Sequence, residues 1–134
     1  MSGLVLKLNP KERVLVNGAV IENGDRRSRL SILTPNANIL RLRDAIRPTE
    51  VNTPVRRVCY IAQLVLSGDV PEDDASHQIL RGIEQLSQVL RDDDSRMHLD
   101  AATEAVGKKD FYRSLKSLRN LLQREARLLD AQKT

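Results

Sequence analysis

Arg27 and Arg29 alternate along one stretch of the chain, and Arg41 and Arg43 alternate along another. A β-strand turns successive side chains to opposite faces, so each pair falls on one face of its strand. If the two strands pair, four guanidiniums share one surface. Guanidiniums pair with phosphate in a fork and stack on unpaired bases. The plain alternative is an ordinary solvated face. Arg56 and Arg57 add two cations where a later helix begins. A second basic set lies near the end of the chain. Lys109, Arg113, Lys116, Asn120, Arg124 and Arg127 advance by three or four residues, with Arg119 and Gln123 beside them. That spacing makes a basic stripe along a helix. It reads either as a solvated face paired with the acidic segment 69–104 or as a face that docks nucleic acid or a protein partner.

Residues that support catalysis are scarce. His77 and His98 fall on separate helices, with no cysteine or second histidine at ligand spacing, and surface or capping roles suit them better than metal. Asp92-Asp93-Asp94 lacks the spaced ligands, glycine turn and terminal glutamate of a calcium loop. Cys59 sits in an apolar helix and reads as a small core residue. There is no glycine-rich phosphate loop and no nucleophile elbow. The expectation is a protein without enzyme activity, without a metal and without a cofactor.

The elements that must position the cations can be read in turn. Leu4, Leu6 and Leu8 alternate along a first strand that Asn9-Pro10 ends. Asn17-Gly18, between the apolar runs 13–16 and 19–22, is a two-residue hairpin turn, because both of its residues must take positive φ. That register sets Val14 opposite Ile21 and Leu15 opposite Val20, so both faces are apolar and the hairpin should be covered on both sides. Residues 27–33 form the next strand, with Leu30 and Ile32 inward. After a turn at Thr34-Pro35-Asn36-Ala37, residues 38–43 form another, with Leu40 and Leu42 inward and Ile39, Arg41 and Arg43 outward.

A helix over 54–67 divides the chain. Thr53 can cap it, Pro54 suits its first position and Gly68 lies just past its end. It is apolar nearly all round, which marks a central helix, and it is too short to span a bilayer. Acids at 72–74 open a second helix with a stripe of Ile79, Leu80, Ile83, Leu86 and Leu90. Asp92 to Ser95 cap a short third helix that carries Met97, Ala101, Ala102, Ala105 and Val106. Asp110 caps a fourth and longest helix that runs to about Leu129. Its buried stripe is Phe111, Leu115, Leu118, Leu122 and Leu129.

The 134 residues suit one domain, or two small parts sharing a core. Aromatic content is 2%, so the core must be aliphatic and base stacking on rings has little to draw on. A single cysteine fits a reducing compartment, and Met1-Ser2-Gly3-Leu4 lacks a basic-then-apolar signal region. The expected location is the cytoplasm. Net charge is +4 but unevenly spread: residues 1–57 carry 11 Lys/Arg against 5 acids, 69–104 carry 3 against 10, and 105–134 carry 8 against 3. Such asymmetry suits a polyanion partner or charge pairing between segments.

The order and spacing of several stretches resemble a known family. They are Leu4-Val5-Leu6-Lys7-Leu8-Asn9-Pro10-Lys11-Glu12-Arg13, Asn17-Gly18 with Val20 and Ile21, and Arg29-Leu30 leading to Ile39-Leu40-Arg41. Thr53-Pro54-Val55-Arg56-Arg57-Val58-Cys59-Tyr60 follows, with Gln63-Leu64. Gly107-Lys108-Lys109-Asp110-Phe111-Tyr112 then leads to Leu115-Lys116, Arg119, Leu121-Leu122 and Glu125. Together they resemble the flagellar biosynthesis repressor FlbT proteins of alphaproteobacteria over nearly the whole chain. The resemblance implies a regulator that acts after transcription. It would associate with the 5′ untranslated leader of flagellin messenger RNA, alter translation and decay, and work beside a second small regulator of the FlaF family. It implies no enzyme activity, no cofactor and no particular RNA-contacting residue. The acidic segment around 69–95 carries nothing across.

The reading is therefore an α+β protein. Residues 1–47 form a small antiparallel β-part, and 48–134 form a four-helix part around the helix 54–67, folding as one cooperative unit. Arg27, Arg29, Arg41, Arg43, Arg56 and Arg57 are the expected RNA contacts. Lys109, Arg113, Lys116 and Arg119 are the expected contacts for a protein partner. The alternative is a protein-binding module for flagellin or a FlaF-type partner that affects the messenger only indirectly. No membrane partner is expected, and the oligomeric state is left open.

Overall fold

Among the described residues, two small sheets and five α-helices share two cores. The computed structural model describes residues 4–35 and 37–132. Residues 1–3 and 133–134, at the ends of the two expected parts, and Asn36 of the expected turn lie outside the described residues. Strand β1 (Leu4–Leu8) pairs antiparallel with β4 (Ser28–Ile32). Strands β2 (Arg13–Val16), β3 (Ala19–Glu22) and β5 (Ile39–Arg41) form a second antiparallel sheet in the order β3-β2-β5. Helices α1 (Pro54–Leu66), α2 (Glu72–Ser87), α3 (Asp93–Gly107), α4 (Phe111–Arg119) and α5 (Leu122–Gln132) follow. The fold is α+β, as the sequence pattern requires.

The hairpin forms at Asn17-Gly18, with φ of 46° and 86°, and in the expected register. Its cover differs from the expectation. β2 lies between two cores: Val14 is buried in a cluster with Leu6, Leu8 and Ile39, and Leu15 packs on the helical cluster. The cover reaches β2 and stops there. β3 is the edge strand, all four of its residues are exposed, and Val20 is 62% accessible. β5 corrects a second expectation. Ile39, assigned outward, is buried with the strand cluster, while Leu40 is buried with the helices. A strand between two cores has no solvent face. β5 ends at Arg41, and Leu42–Asp44 tightens into a 3-10 turn that leaves Leu42 exposed.

The central helix is placed as expected. The Thr53 hydroxyl accepts the backbone N–H of Arg56 at 3.3 Å. Val58, Cys59, Ala62, Val65 and Leu66 are buried, and α1 packs against α2, α4, α5 and β5. At Gly82 the backbone of α2 comes so near that a Cβ would lie 2.5 Å from Val58 Cγ2, so this crossing requires glycine. Two buried polar side chains fix α1 to the rest of the chain. Gln63 donates to the carbonyl of Ile46 at 3.0 Å and accepts the Ile46 N–H at 2.7 Å, which pins the segment arriving from the strands. The Glu125 carboxylate accepts the Val55 N–H at 2.9 Å, supplying from α5 one of the partners that the first turn of α1 lacks.

The later helices bring two corrections. α3 is 15 residues long, not short; Leu99 is buried in it, while Met97 is 59% exposed. The predicted single last helix is two, so five α-helices lie among the described residues of the helical part. The chain tightens at its break, where Asn120 N–H bonds to the Ser117 carbonyl and Leu121 N–H to the Leu118 carbonyl. The break buries Leu121 and turns α5 so that Glu125 reaches α1, while Leu129 is left exposed.

Replacing Glu125 with alanine leaves a buried N–H without its acceptor, a loss of about 1–3 kcal/mol. The expected result is a lower urea midpoint with an unchanged slope; an unchanged midpoint would show that the cap adds nothing. Cys59 is fully buried, and burial pushes its thiol up to about 12. It should react with a bulky thiol reagent only after denaturation, and equal rates in native and denatured protein would contradict its burial.

Candidate nucleic-acid interface

β4 pairs with β1 and β5 pairs with β2, so the two arginine-bearing strands are not neighbours in one sheet. Arg27, Arg29, Arg41 and Arg43 nevertheless line one depression of about 510 Å3, together with Lys7, Leu8, Asn9 and Ser28. β1 brings them together. Its register sets Lys7 directly opposite Arg29. Like charges opposed across a strand pair disfavour the pairing, and an anion between them removes that cost. Arg27 stands just before β4, in a turn held by Asn23. The Asn23 amide donates to the carbonyls of Asn9 at 2.8 Å and Arg26 at 2.9 Å, and its oxygen accepts the Ser28 hydroxyl at 2.7 Å.

Glu12 organises the other side. Its side chain is only 5% exposed and that of Arg41 only 12%. Arg41 donates from Nε and Nη2 to the two Glu12 oxygens, each at 2.7 Å, and from Nη2 to the Lys7 carbonyl at 2.6 Å. Glu12 also accepts the Asn9 N–H at 3.0 Å. The Arg41 hydrogen bond, opposed by burial and aided by the Asn9 N–H, holds the Glu12 carboxyl at about 2. Arg43 is half exposed, and its Nε lies 3.7 Å from Glu12 and 3.9 Å from Asp44, beyond hydrogen-bond range.

The cations divide by whether the protein already neutralises them. Lys11 pairs with Asp25, and Arg13 with Glu22. Lys7, Arg27 and Arg29 have no carboxylate within ion-pair distance among the described residues. Their donors are available to an external anion. Arg56 and Arg57 lie apart from this depression. Arg56 donates to the Glu50 carbonyl at 3.3 Å, and Arg57 lines a groove between α1 and α2 with Arg81.

The basic stripe of the last predicted helix does not survive as one face, because that helix breaks. Lys109 bonds to Asp73 at 2.8 Å and Arg113 pairs with Asp110 at 3.0 Å. Arg124 stands 3.4 Å from Asp92. Two of these pairs join the stretch after α3 to the acidic segment: Lys109 from the turn before α4 and Arg124 from α5. Arg119 donates to the Asp44 carbonyl at 2.8 Å. Lys116 is exposed without an acidic partner among the described residues and, with Arg119, lines a second cavity shared with Arg41 and Arg43.

Lys7 is the cation that the arginine pattern misses. Alternation along β1 puts it on the outer face, but only the register sets it against Arg29. Glu12 has no sequence signal, since nothing in a loop glutamate announces a buried clamp. Among the described residues no group of three or more His, Cys, Asp or Glu side chains is arranged to hold a metal ion, and no helix is long and apolar enough to cross a membrane.

Comparison with known proteins identifies the family. The family described as flagellar protein FlbT matches residues 4–129. The chain belongs to the FlbT family. It is 29% identical over 122 residues to the flagellum biosynthesis repressor protein FlbT of Caulobacter vibrioides, covering 91% of this chain and 86% of that protein. It is 33% identical over 129 residues to the "Probable flagellum biosynthesis repressor protein FlbT 1" of Bradyrhizobium diazoefficiens, covering 93% and 84%. A Rhodopseudomonas palustris protein of the same family is 30% identical over 128 residues, covering 94% and 97%. No solved structure matches the chain significantly.

The Glu12 clamp sets a pH dependence. Its carboxyl is ordinarily at 4.5 and is lowered to about 2 in the folded protein. A depressed carboxyl contributes stability above its unfolded value and loses that contribution as pH falls toward the folded one. Stability should therefore fall between about pH 4.5 and 2, and Glu12→Gln should flatten that part of a denaturation profile. A variant profile parallel to the parent's would show that the clamp is not the titrating group.

Proposed function

We propose that this FlbT-family chain regulates flagellar gene expression after transcription, by contacting the 5′ untranslated leader of flagellin messenger RNA and altering its translation and decay. The observation that carries the reading is the Lys7–Arg29 opposition on β1 and β4, inside a depression shared with Arg27, Arg41 and Arg43. A fold that places like charges face to face, without carboxylates beside them, favours a bound anion at that spot. A row of phosphates satisfies several such cations at once, and guanidiniums bind phosphate through paired donors. Family membership and the relatives' names as repressors of flagellum biosynthesis support the regulatory role. No catalytic step and no cofactor enter the reading. Internal neutralisation of Lys109, Arg113 and Arg119 argues against the last helices as the main polyanion face.

The test changes Arg27 and Arg29 together to alanine and leaves Arg41 alone, because Arg41 is bound into the Glu12 clamp. Each lost phosphate contact should lower the salt dependence of leader-RNA binding by about 0.7 in slope for a single strand, so the pair should lower it by about 1.4. Folding stability should move by under about 0.5 kcal/mol, as exposed substitutions do. If the double variant keeps the affinity and the slope, the strand face is not the RNA site. If the parent protein shows no specific leader binding and holds flagellin or a FlaF-type protein instead, the protein-module reading replaces this one.

A further inference from the structure

The cationic track does not end at the strands. Arg41 and Arg43 line the strand depression and also a second cavity of about 460 Å3, at the seam between β5 with its 3-10 turn and α4. Both cavities mix polar and apolar surface. In the seam cavity Ile39, Leu40 and Leu115 are themselves buried, and the half-buried Tyr112 is the aromatic side chain of its lining, with cations at the rim. One ring among several cations, at a volume within the usual range of about 300–1,000 Å3, suits a planar group that stacks on that ring. The rim also has spare donors. Lys116 is exposed with no acidic partner among the described residues, and Arg43 is held only by carboxylates 3.7 and 3.9 Å away. Asp44, the acid at this cavity, lies 3.6 Å from Arg119.

We infer that the seam cavity takes an unstacked base of a single-stranded RNA whose backbone runs from the strand depression past Arg43 to Lys116. The inference rests on the RNA reading above and adds to it the form of RNA and the path it follows. A duplex keeps each base stacked and paired, so no base face can reach Tyr112. Its phosphates could still meet Lys7, Arg27 and Arg29, because that depression asks only for charge. An unpaired strand satisfies both sites: phosphates on the cations and a base against the Tyr112 ring. Lys116 and Arg119 then belong with Arg41 and Arg43 as one surface, rather than with Lys109 and Arg113 as a protein-docking face.

The test uses the full chain and a short unstructured RNA carrying one fluorescent purine analogue, compared with the same sequence as a duplex. The single strand should bind about tenfold more tightly, and the analogue should change its emission when it stands at the seated position. Lys116→Glu should weaken single-strand binding about fivefold or more, abolish the emission change and leave duplex binding within about twofold. Arg96→Ala, an exposed charge change outside both cavities, should do none of these. Equal affinity for single strand and duplex, with no effect of Lys116→Glu on either, would overturn the seam inference while leaving the strand-face reading intact. An acidic peptide that competes at the seam while the analogue stays unquenched would overturn it in favour of a protein ligand. If Arg27→Ala with Arg29→Ala leaves all RNA binding unchanged, the underlying reading fails and the seam inference fails with it.

Discussion

Arg41 reaches Glu12 with two nitrogens and the Lys7 carbonyl with one of them, and through these bonds one guanidinium joins both sheets. β5 belongs to one sheet and Lys7 to the other. Besides the clamp, the sheets meet through the apolar cluster of Leu6, Leu8, Val14 and Ile39. Apolar contact is non-directional, so it sets a distance more firmly than an orientation. The paired hydrogen bonds set orientation. They also solve an electrostatic difficulty, since a surface rich in Lys and Arg repels itself. One buried carboxylate beneath it neutralises the most enclosed guanidinium and leaves the outer ones free. The cost of burying that pair is met by geometry: both Glu12 oxygens are occupied and Asn9 adds a further donor.

The second organising feature is the sharing of side chains between two cores. Period-2 alternation along β2 and β5 sends Val14 and Ile39 to the strand cluster and Leu15 and Leu40 to the helical one. Tyr112 packs on both. The strands are therefore a partition and not an outer wall, and Gln63 extends the join through its paired bonds to Ile46. This arrangement explains why cations distant in sequence meet. β5 carries Arg41 to the partition, the 3-10 turn carries Arg43 round its rim, and α4 brings Lys116 to the same place.

Local signals in the sequence were legible where one rule acts alone. Asn17-Gly18 defined the hairpin and its register because its backbone admits few alternatives. Thr53-Pro54 and Gly68 bounded the central helix because capping chemistry is local. Other features depend on partners that sequence does not name. Alternation sets Ile39 outward because it presumes one wet face, and β5 has none. The hairpin register gives Val20 a cover that ends one strand short. The last helix reads as continuous because its apolar and basic periodicity runs on past Asn120, whereas the break is tied to the burial of Leu121 and the reach of Glu125 to Val55. The arginine pairs were visible as a pattern, but their shared depression arises through β1, and the pairing of β1 with β4 is not local. Lys7 and Glu12 gain their roles from register and burial, neither of which one residue type signals.

The Glu125–Val55 bond spans 70 residues and has a consequence for synthesis. A chain emerging from the ribosome presents its strands first, then α1. The first turn of α1 then waits for a partner that has not yet been made. Until α5 has left the exit tunnel, the Val55 N–H must be satisfied by water and the apolar faces of α1 remain partly uncovered. Domains tend to fold as units once their sequence is available. Here a stretch translated 70 residues later closes the first turn of the central helix, so a nascent chain that ends before α5 lacks that lock.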